Sequence, residues 1–205
     1  MARALDRATL LAAFDEIGHA ALAAETRLTI AVFGGSALML ASNFRFSTED
    51  VDIAEVGSPW PAWLTDVVER IARRNDWPET WLNDAVSFHL SPLAQHHRDL
   101  TAFGSFPRRE ERVGLSVFVP SARYLLALKL KALRIADFHK GAQDMADVAG
   151  LLRVLRITEI QPAIDILAEF FPKSAADSGK QRFVLKRILS TEGSGDAPEY
   201  PRRGD

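Results

Sequence analysis

A strand-to-helix junction near the N-terminus is the feature that most constrains the fold. Residues 27–33 form an apolar run containing β-branched residues, typical of a buried strand, and the run ends at Gly34-Gly35. Residues 36–41 are apolar and rich in good helix formers. A strand, a glycine turn and a helix in direct succession therefore indicate a fold that contains both sheet and helices.

The rest of the chain predicts an α+β fold in which a small mixed sheet is flanked by helices and followed by a helical C-terminal half. Hydrophobic periodicity predicts further strands over 51–56, 86–90 and 113–119, and helices over 8–24, 62–74, 121–138, 141–155, 160–170 and 172–189. A length of 205 residues suits one unit. Within it we expect a core over 1–120, a helical part over 121–189 and a disordered tail over 190–205.

Composition excludes several classes of function. The chain has no cysteine, which excludes thiol catalysis, disulfides and Cys-based metal sites. Its formal net charge of -2 provides no overall positive field for nucleic acid, although a local basic patch remains compatible with it. No run approaches the ~18 consecutive apolar residues that a membrane span needs. The N-terminus also lacks a signal-peptide core, so we expect a cytoplasmic protein with no membrane partner.

Two acids at the entrance to a predicted strand are the first candidates for chemistry. Asp50 and Asp52 are separated by one residue, so in a strand their side chains lie on the same face, roughly 6.6 Å apart. Paired carboxylates suit hard cations such as Mg²⁺ bound together with phosphate. The alternative is an ordinary solvated strand end.

The glycine turn upstream strengthens the metal hypothesis. Glycines allow close approach of the backbone to a ligand, and the free N–H groups at a helix start favour phosphate. Gly34-Gly35-Ser36 matches neither the dinucleotide-binding nor the Walker pattern, so a plain tight turn is the alternative. Together with Asp50 and Asp52, however, the turn favours a site for a metal-bound triphosphate.

Lys129 stands out on the helical wheel of the predicted helix 121–138. It falls near the centre of an apolar arc, whereas Lys131 and Arg134 fall on the other side. The arc consists of Ala122, Leu125, Leu126, Ala132, Leu133 and Ala136. A lysine in that position must snorkel, bind a ligand or pair with an acid. Asp144, inside the apolar arc of the next helix, is the candidate partner, with Asp147 at the edge of that arc. Both interpretations remain open, and an alternative role for Asp144 is to complement the helix dipole.

Two stretches of the sequence resemble a known family. "VFGGSALMLASNFRFSTEDVDI", residues 32–53, resembles the signature of nucleotidyltransferases with the DNA polymerase beta-type fold. Its detailed residue pattern is similar to that of a bacterial branch that includes toxins of toxin-antitoxin and phage-defence systems. "LLALKLKALRIADFHKGAQDMADVAGLL", residues 125–152, resembles the C-terminal signature of that branch. The likeness extends over roughly residues 28–172, with the middle matched only loosely.

The resemblance implies a role for each matched residue. Nucleotide binding is implied for Gly34, Gly35, Ser36, Arg45 and Lys129, metal binding for Asp50 and Asp52, catalysis for Asp50, Asp52 and Lys129, and a supporting role for Arg134, Asp144 and Asp147. The metal would be Mg²⁺, or alternatively Mn²⁺. The chain departs from the family pattern in one respect, because the predicted strand 113–119 lacks the third carboxylate common in such enzymes. Asp84, Glu110 and Glu111 are the available substitutes, and no motif favours one of them.

The implied function is Mg²⁺-dependent transfer of a nucleotidyl group from a nucleoside triphosphate to a hydroxyl. The acceptor would be an RNA, such as a tRNA end, or a protein side chain, and the residues leave both open. The resemblance also implies a place in a toxin-antitoxin system with a cognate antitoxin. The alternatives are a catalytically inactive module that binds nucleotide or a partner protein, and a small-molecule nucleotidyltransferase of the antibiotic-modifying kind.

Overall fold

The computed structural model describes residues 5–55, 60–134, 137–191 and 198–204. The strands are β1 (Leu5–Asp6), β2 (Leu28–Val32), β3 (Ser47–Thr48), β4 (Val51–Glu55), β5 (Leu82–Asn83), β6 (Leu100–Phe106) and β7 (Leu115–Pro120). The helices are α1 (Arg7–Ala23), α2 (Gly34–Ala41), α3 (Ala62–Asn75), α4 (His96–Asp99), α5 (Ala122–Lys131), α6 (Phe138–Val154), α7 (Ile160–Phe170), α8 (Pro172–Ala176) and α9 (Gly179–Thr191), with a 3₁₀ helix over Ala85–His89.

A five-stranded mixed sheet in the order β5-β4-β2-β7-β6 forms the centre of the molecule. β2 is antiparallel to β4 and parallel to β7, while β5 runs parallel to β4 and β6 antiparallel to β7. β1 and β3 form a separate two-stranded sheet. The expected α+β class with a small mixed sheet is therefore confirmed.

The central position of β2 explains its apolar sequence. Ile30, Ala31 and Val32 are at most 3% exposed, as expected for a strand with neighbours on both sides. β2 ends where β4 begins, and the Phe33 N–H donates to the carbonyl of Asp52 over 2.8 Å. We call this side of the sheet, where Gly34 follows β2 and Asp52 lies near the start of β4, the glycine-acid edge.

The helices α5, α6, α7 and α9 pack together after the sheet, in agreement with the predicted helical C-terminal half. Leu130, Leu151, Leu167 and Leu185, one from each helix, are completely buried. The boundary between α5 and α6 differs from the prediction, because α5 ends at Lys131 instead of continuing to 138. The Asp137 side chain accepts the Lys140 N–H over 2.9 Å, which caps α6 and starts it earlier than predicted.

The middle of the chain differs most from the prediction. The expected strand at 86–90 is wrong, because Ala85–His89 forms a 3₁₀ helix. β6 was not predicted, since only Phe103 and Phe106 of its residues are buried and no regular alternation results. β1 and β3, each two residues long, also escaped prediction.

The C-terminal tail was expected to be disordered from residue 190, but part of it packs on the core. Residues 190 and 191 complete α9. Further on, the Tyr200 hydroxyl donates to the Pro120 carbonyl over 2.7 Å, and the Gly204 N–H donates to the Phe103 carbonyl over 2.9 Å. The polar composition of the tail gives no indication of these two contacts. Residues 192–197 of the predicted tail lie outside the described residues.

Within the described ranges, no helix combines the length and apolarity needed to span a membrane.

Candidate functional site

Gly34 opens α2 in a conformation that brings it directly against an acid. Its φ is +62°, in the left-handed region that favours glycine. A Cβ on Gly34 would lie 2.7 Å from Oδ2 of Asp52. The glycine therefore provides both the backbone conformation and the space for the carboxylate. Gly34 and Gly35 are the first two residues of α2 and not a separate turn before it, as the sequence had suggested.

The N-terminus of α2 presents backbone donors at this point. Its N-cap residue, Phe33, makes no side-chain capping hydrogen bond, and the first intrahelical bond runs from the Ala37 N–H to the Phe33 carbonyl. The N–H groups of Gly35 and Ser36 precede it in the first turn, where helix geometry leaves donors without intrahelical partners. The Ser36 hydroxyl is buried and donates to the Phe33 carbonyl over 2.7 Å. The Ser36 hydroxyl is therefore already hydrogen-bonded within the first turn of α2.

Asp50 and Asp52 lie close enough for the charge of Asp50 to affect Asp52. Asp50 is exposed just before β4, and Asp52 is half-buried within it. Burial and the charge of Asp50 raise the pKa of Asp52, while the nearby Lys129, a hydrogen bond from Asn83 and His89 oppose the rise. A bound cation would favour the charged form of Asp52, because it would offset both the desolvation of the carboxylate and its repulsion by Asp50.

Asn83 is a neighbour of this acid pair that the sequence did not indicate. β5 places it directly opposite Asp52, and its side chain is hydrogen-bonded to Asp52. The Asn83 Oδ1 accepts the Ala85 N–H over 3.1 Å. The amide nitrogen of Asn83 is therefore the group left to donate to Asp52. β5 is two residues long, and no periodic signal marks so short a strand.

Arg45 connects the glycine-acid edge with α6. Its guanidinium covers Gly35, where a Cβ would come within 2.6 Å of Nη2. The same group donates to Asp147 over 2.6 Å, and its Nε donates to the Ser47 carbonyl over 3.1 Å. The predicted nucleotide-binding arginine is thus held between α2 and α6.

Lys129 is buried, as its place on the helical wheel predicted, but its main partner differs from the predicted one. Its Nζ lies 2.6 Å from Oδ2 of Asp147 and only 3.9 Å from Oδ1 of Asp144. Asp147 also accepts a hydrogen bond from Gln143 over 3.0 Å. The helical wheel placed Asp147 at the edge of the apolar arc, yet its side chain is 1% exposed.

Asp144 is instead the partner of Arg134. The Arg134 Nε and Nη2 donate to the two carboxylate oxygens of Asp144 over 2.8 and 2.7 Å. Because α5 ends at Lys131, Arg134 lies beyond the helix and reaches Asp144 from the connection to α6. The continuous helix assumed in the helical wheel had placed Arg134 away from this cluster.

The three candidates for a third carboxylate lie at different ends of the sheet. Glu110 and Glu111 precede β7, and since β7 is parallel to β2 they lie at the end opposite to Gly34. Glu110 pairs there with His19 over 3.4 Å. Asp84 follows Asn83 directly and is therefore the only one of the three next to the acid pair. Among the residues that the structure describes, no group of three or more His, Asp or Glu side chains is arranged to hold a metal.

Two surface cavities lie away from these residues. One of about 420 Å³ is bounded by α6 and α9, with Met145, Arg153 and Arg187 in its lining. The other, of about 440 Å³, lies beside the turn that joins α1 to β2. The candidate site is accordingly defined by converging side chains and helix amides and not by either cavity.

Comparisons of the chain with protein-family models, with curated proteins and with solved structures find no match.

Proposed function

We propose that the protein binds a nucleoside triphosphate with Mg²⁺ or Mn²⁺ at the glycine-acid edge and transfers its nucleotidyl group to a hydroxyl. The observation that carries the proposal is the close approach of Asp52 to Gly34, whose Cβ position is 2.7 Å from the carboxylate. This approach joins the acid pair to the start of α2. Cation ligands and anion-binding amides then lie side by side, the combination that a metal-bound triphosphate requires.

The donor set fits the metal. Asp50, just before β4, and Asp52, within it, provide hard carboxylate oxygens, and Mg²⁺ in nucleotide sites takes one or two carboxylates with phosphate oxygens and water. When bound, the metal would neutralise charge on the phosphates. The raised pKa of Asp52, which results first from burial and then from the charge of Asp50, supports the assignment, because a bound cation would stabilise the charged carboxylate.

The cations beside the acid pair suit the phosphates. Arg45 and Lys129 share one oxygen of Asp147, so this group of two cations and one carboxylate retains one positive charge. Arg45 covers Gly35 at the start of α2. In our proposal the N–H groups of Gly35 and Ser36 bind phosphate oxygens, while Arg45 and Lys129 offset the charge that develops during transfer.

The proposed reaction forms a bond between the acceptor oxygen and the α-phosphorus. The bond from that phosphorus to the β-phosphate oxygen breaks, pyrophosphate leaves, and the hydroxyl proton passes to water. By resemblance the acceptor is an RNA end or a protein side chain, and the setting is a toxin-antitoxin pair. A nucleotide-binding module without catalysis is the second candidate, favoured by the position of Glu110 and Glu111 at the far end of the sheet.

A transfer assay distinguishes the two candidates. The protein is incubated with nucleoside triphosphates labelled on the α-phosphorus, Mg²⁺ or Mn²⁺, total RNA and total protein. Label on a macromolecule that is lost in Asp52→Asn, but kept in the control Asp66→Asn on the exposed side of α3, supports transfer. Metal-dependent binding without transfer supports the inactive module, and the absence of both refutes the proposal.

A further inference from the structure

We propose that Phe88 and Phe46 form a stacking surface for the base of the bound nucleoside triphosphate. This inference rests on the proposed function and extends it from phosphate binding to nucleobase binding. Its starting point is the exposure of large hydrophobic side chains in the described ranges. Phe88 is 89% and Phe46 77% exposed, followed by Phe183 and Leu93.

Phe88 is attached to the candidate site through the 3₁₀ helix Ala85–His89. This helix packs against β4, the strand that carries Asp52. The next residue, His89, is fixed by its carbonyl, which accepts a hydrogen bond from the Lys131 Nζ over 2.8 Å. His89 also lies close enough to Asp52 to influence its charge. The Phe88 backbone is thus held beside the acid pair while its ring is left to solvent.

Phe46 is attached to the candidate site in a comparable way, through Arg45. The preceding residue, Arg45, covers Gly35 and is bound to Asp147. The following residue, Ser47, belongs to β3, and its carbonyl accepts the Arg45 Nε. Both neighbours of Phe46 are therefore anchored, yet its ring does not pack into the core.

Stacking of a nucleobase on these two rings is more favourable than leaving the rings in contact with water. An exposed phenylalanine leaves apolar area in solvent, and a flat base can cover it by stacking without needing a specific base identity. The base also belongs to the same molecule as the triphosphate, whose proposed ligand Arg45 directly precedes Phe46. Phe88 lies on the 3₁₀ helix that packs against β4, the strand that carries Asp52. Stacking on one aromatic side chain changes affinity about fivefold to a hundredfold.

The test compares ligands with and without a base. Isothermal titration with ATP and with tripolyphosphate, both in Mg²⁺, is carried out on wild type, Phe88→Ala, Phe46→Ala and Phe88→Trp. We expect each alanine variant to weaken ATP binding about tenfold and to leave tripolyphosphate binding unchanged. Phe88→Trp should keep wild-type affinity. Phe183→Ala, which removes an exposed phenylalanine from α9, is the matched control and should change nothing.

Each outcome decides between possibilities. A loss at one of the two positions supports the surface and assigns it to that residue. Unchanged ATP binding in both alanine variants, or an equal loss of tripolyphosphate, overturns the inference and leaves the proposed function standing. Weaker binding of a single-stranded RNA oligomer with unchanged ATP binding also overturns it. If wild type binds neither ATP nor tripolyphosphate in Mg²⁺, the proposed function and this inference both fail.

Discussion

The two ends of the central sheet both rely on glycine, but for different reasons. At the far end, a Cβ on Gly18 would lie 2.6 Å from the backbone of Phe106, and one on Gly114 would overlap the carbonyl oxygen of Gly18. These glycines let α1 pack closely on β6 and β7. At the glycine-acid edge, Gly34 and Gly35 make room for the charged ends of Asp52 and Arg45. Gly18 and Gly114 thus allow backbone segments to pack closely, whereas Gly34 and Gly35 leave space for charged side chains.

The ion pairs at the two ends of the sheet differ in how deeply they are buried. At the far end, the pair between Arg108 and Asp15 is partly exposed, with 34% and 25% of the side chains accessible. At the glycine-acid edge, the corresponding values for Lys129 and Asp147 are 10% and 1%. Exposed pairs contribute little to stability, while buried charges are retained only with close partners. The buried pair at the glycine-acid edge therefore depends on its close partners more than the partly exposed pair does.

The largest expected effect separates the two kinds of glycine. We expect Gly114→Ala to lower the free energy of unfolding by about 3 kcal/mol, because the new Cβ meets backbone that cannot move aside. Gly35→Ala should cost less than about 1 kcal/mol, since the end of Arg45 can shift, but it should weaken ATP binding. Urea unfolding of both variants and titration with ATP measure the contrast. The comparison fails if Gly35→Ala is the more destabilising change.

Removal of the carboxylate that Arg45 and Lys129 share should have the next largest effect. Asp147→Ala leaves two cations without their main partner, and we expect a loss of about 2 kcal/mol of stability. At the far end, Asp15→Ala breaks a partly exposed pair with Arg108 and should cost less, on the order of 1 kcal/mol. Thermal melts at low and high salt compare the two. Equal losses would contradict the distinction between the ends.

Lys129→Met should affect binding more than stability. Asp147 keeps Arg45 and Gln143 as partners in this variant, so its buried carboxylate is not left alone. We expect a stability change of less than about 1 kcal/mol and an ATP affinity about tenfold lower. Calorimetric titration checks the affinity. A large loss of stability with unchanged affinity would make Lys129 a purely structural residue.

The smallest effect concerns pH. The folded protein holds a proton on Asp52 more readily than the unfolded chain does, because the pKa is raised. The resulting destabilisation is absent below the ordinary Asp pKa of about 3.9 and fully present above the folded value. Asp52→Asn should therefore be more stable than wild type at neutral pH and lose this advantage as the solution is acidified. A constant difference at all pH values would contradict the assignment, and Asp66→Asn is the control.

The sequence predicted the local part of the site well. The apolar run before Gly34-Gly35 predicted β2 and the start of α2, and the helical wheel predicted a buried Lys129. These features depend on residues close together in the chain, where periodicity is informative. Asp147 was undervalued because the wheel placed it at the edge of the apolar arc of its own helix, whereas its contacts with Arg45 and Lys129 bury it. Arg134 was misplaced because the wheel assumed an unbroken helix to residue 138, whereas α5 ends at Lys131.

The parts that escaped prediction depend on pairing between distant segments. Asn83 meets Asp52 only because a two-residue strand adds to β4. β6 is stabilised by its ladder with β7 and by the tail at Gly204, and neither contact leaves a pattern in its own residues. Tertiary context outweighs local pattern at such positions.

The role of the two acids in nucleotide binding can be measured by isothermal titration of ATP in Mg²⁺ and in EDTA, with wild type and the double variant Asp50→Asn/Asp52→Asn. We expect wild type to bind ATP with Mg²⁺ and at least about tenfold more weakly in EDTA, because the metal joins the phosphates to the two acids. The double variant should lose this dependence on Mg²⁺ while keeping its fold by circular dichroism. Equal Mg²⁺-dependent binding by wild type and the double variant would contradict the account.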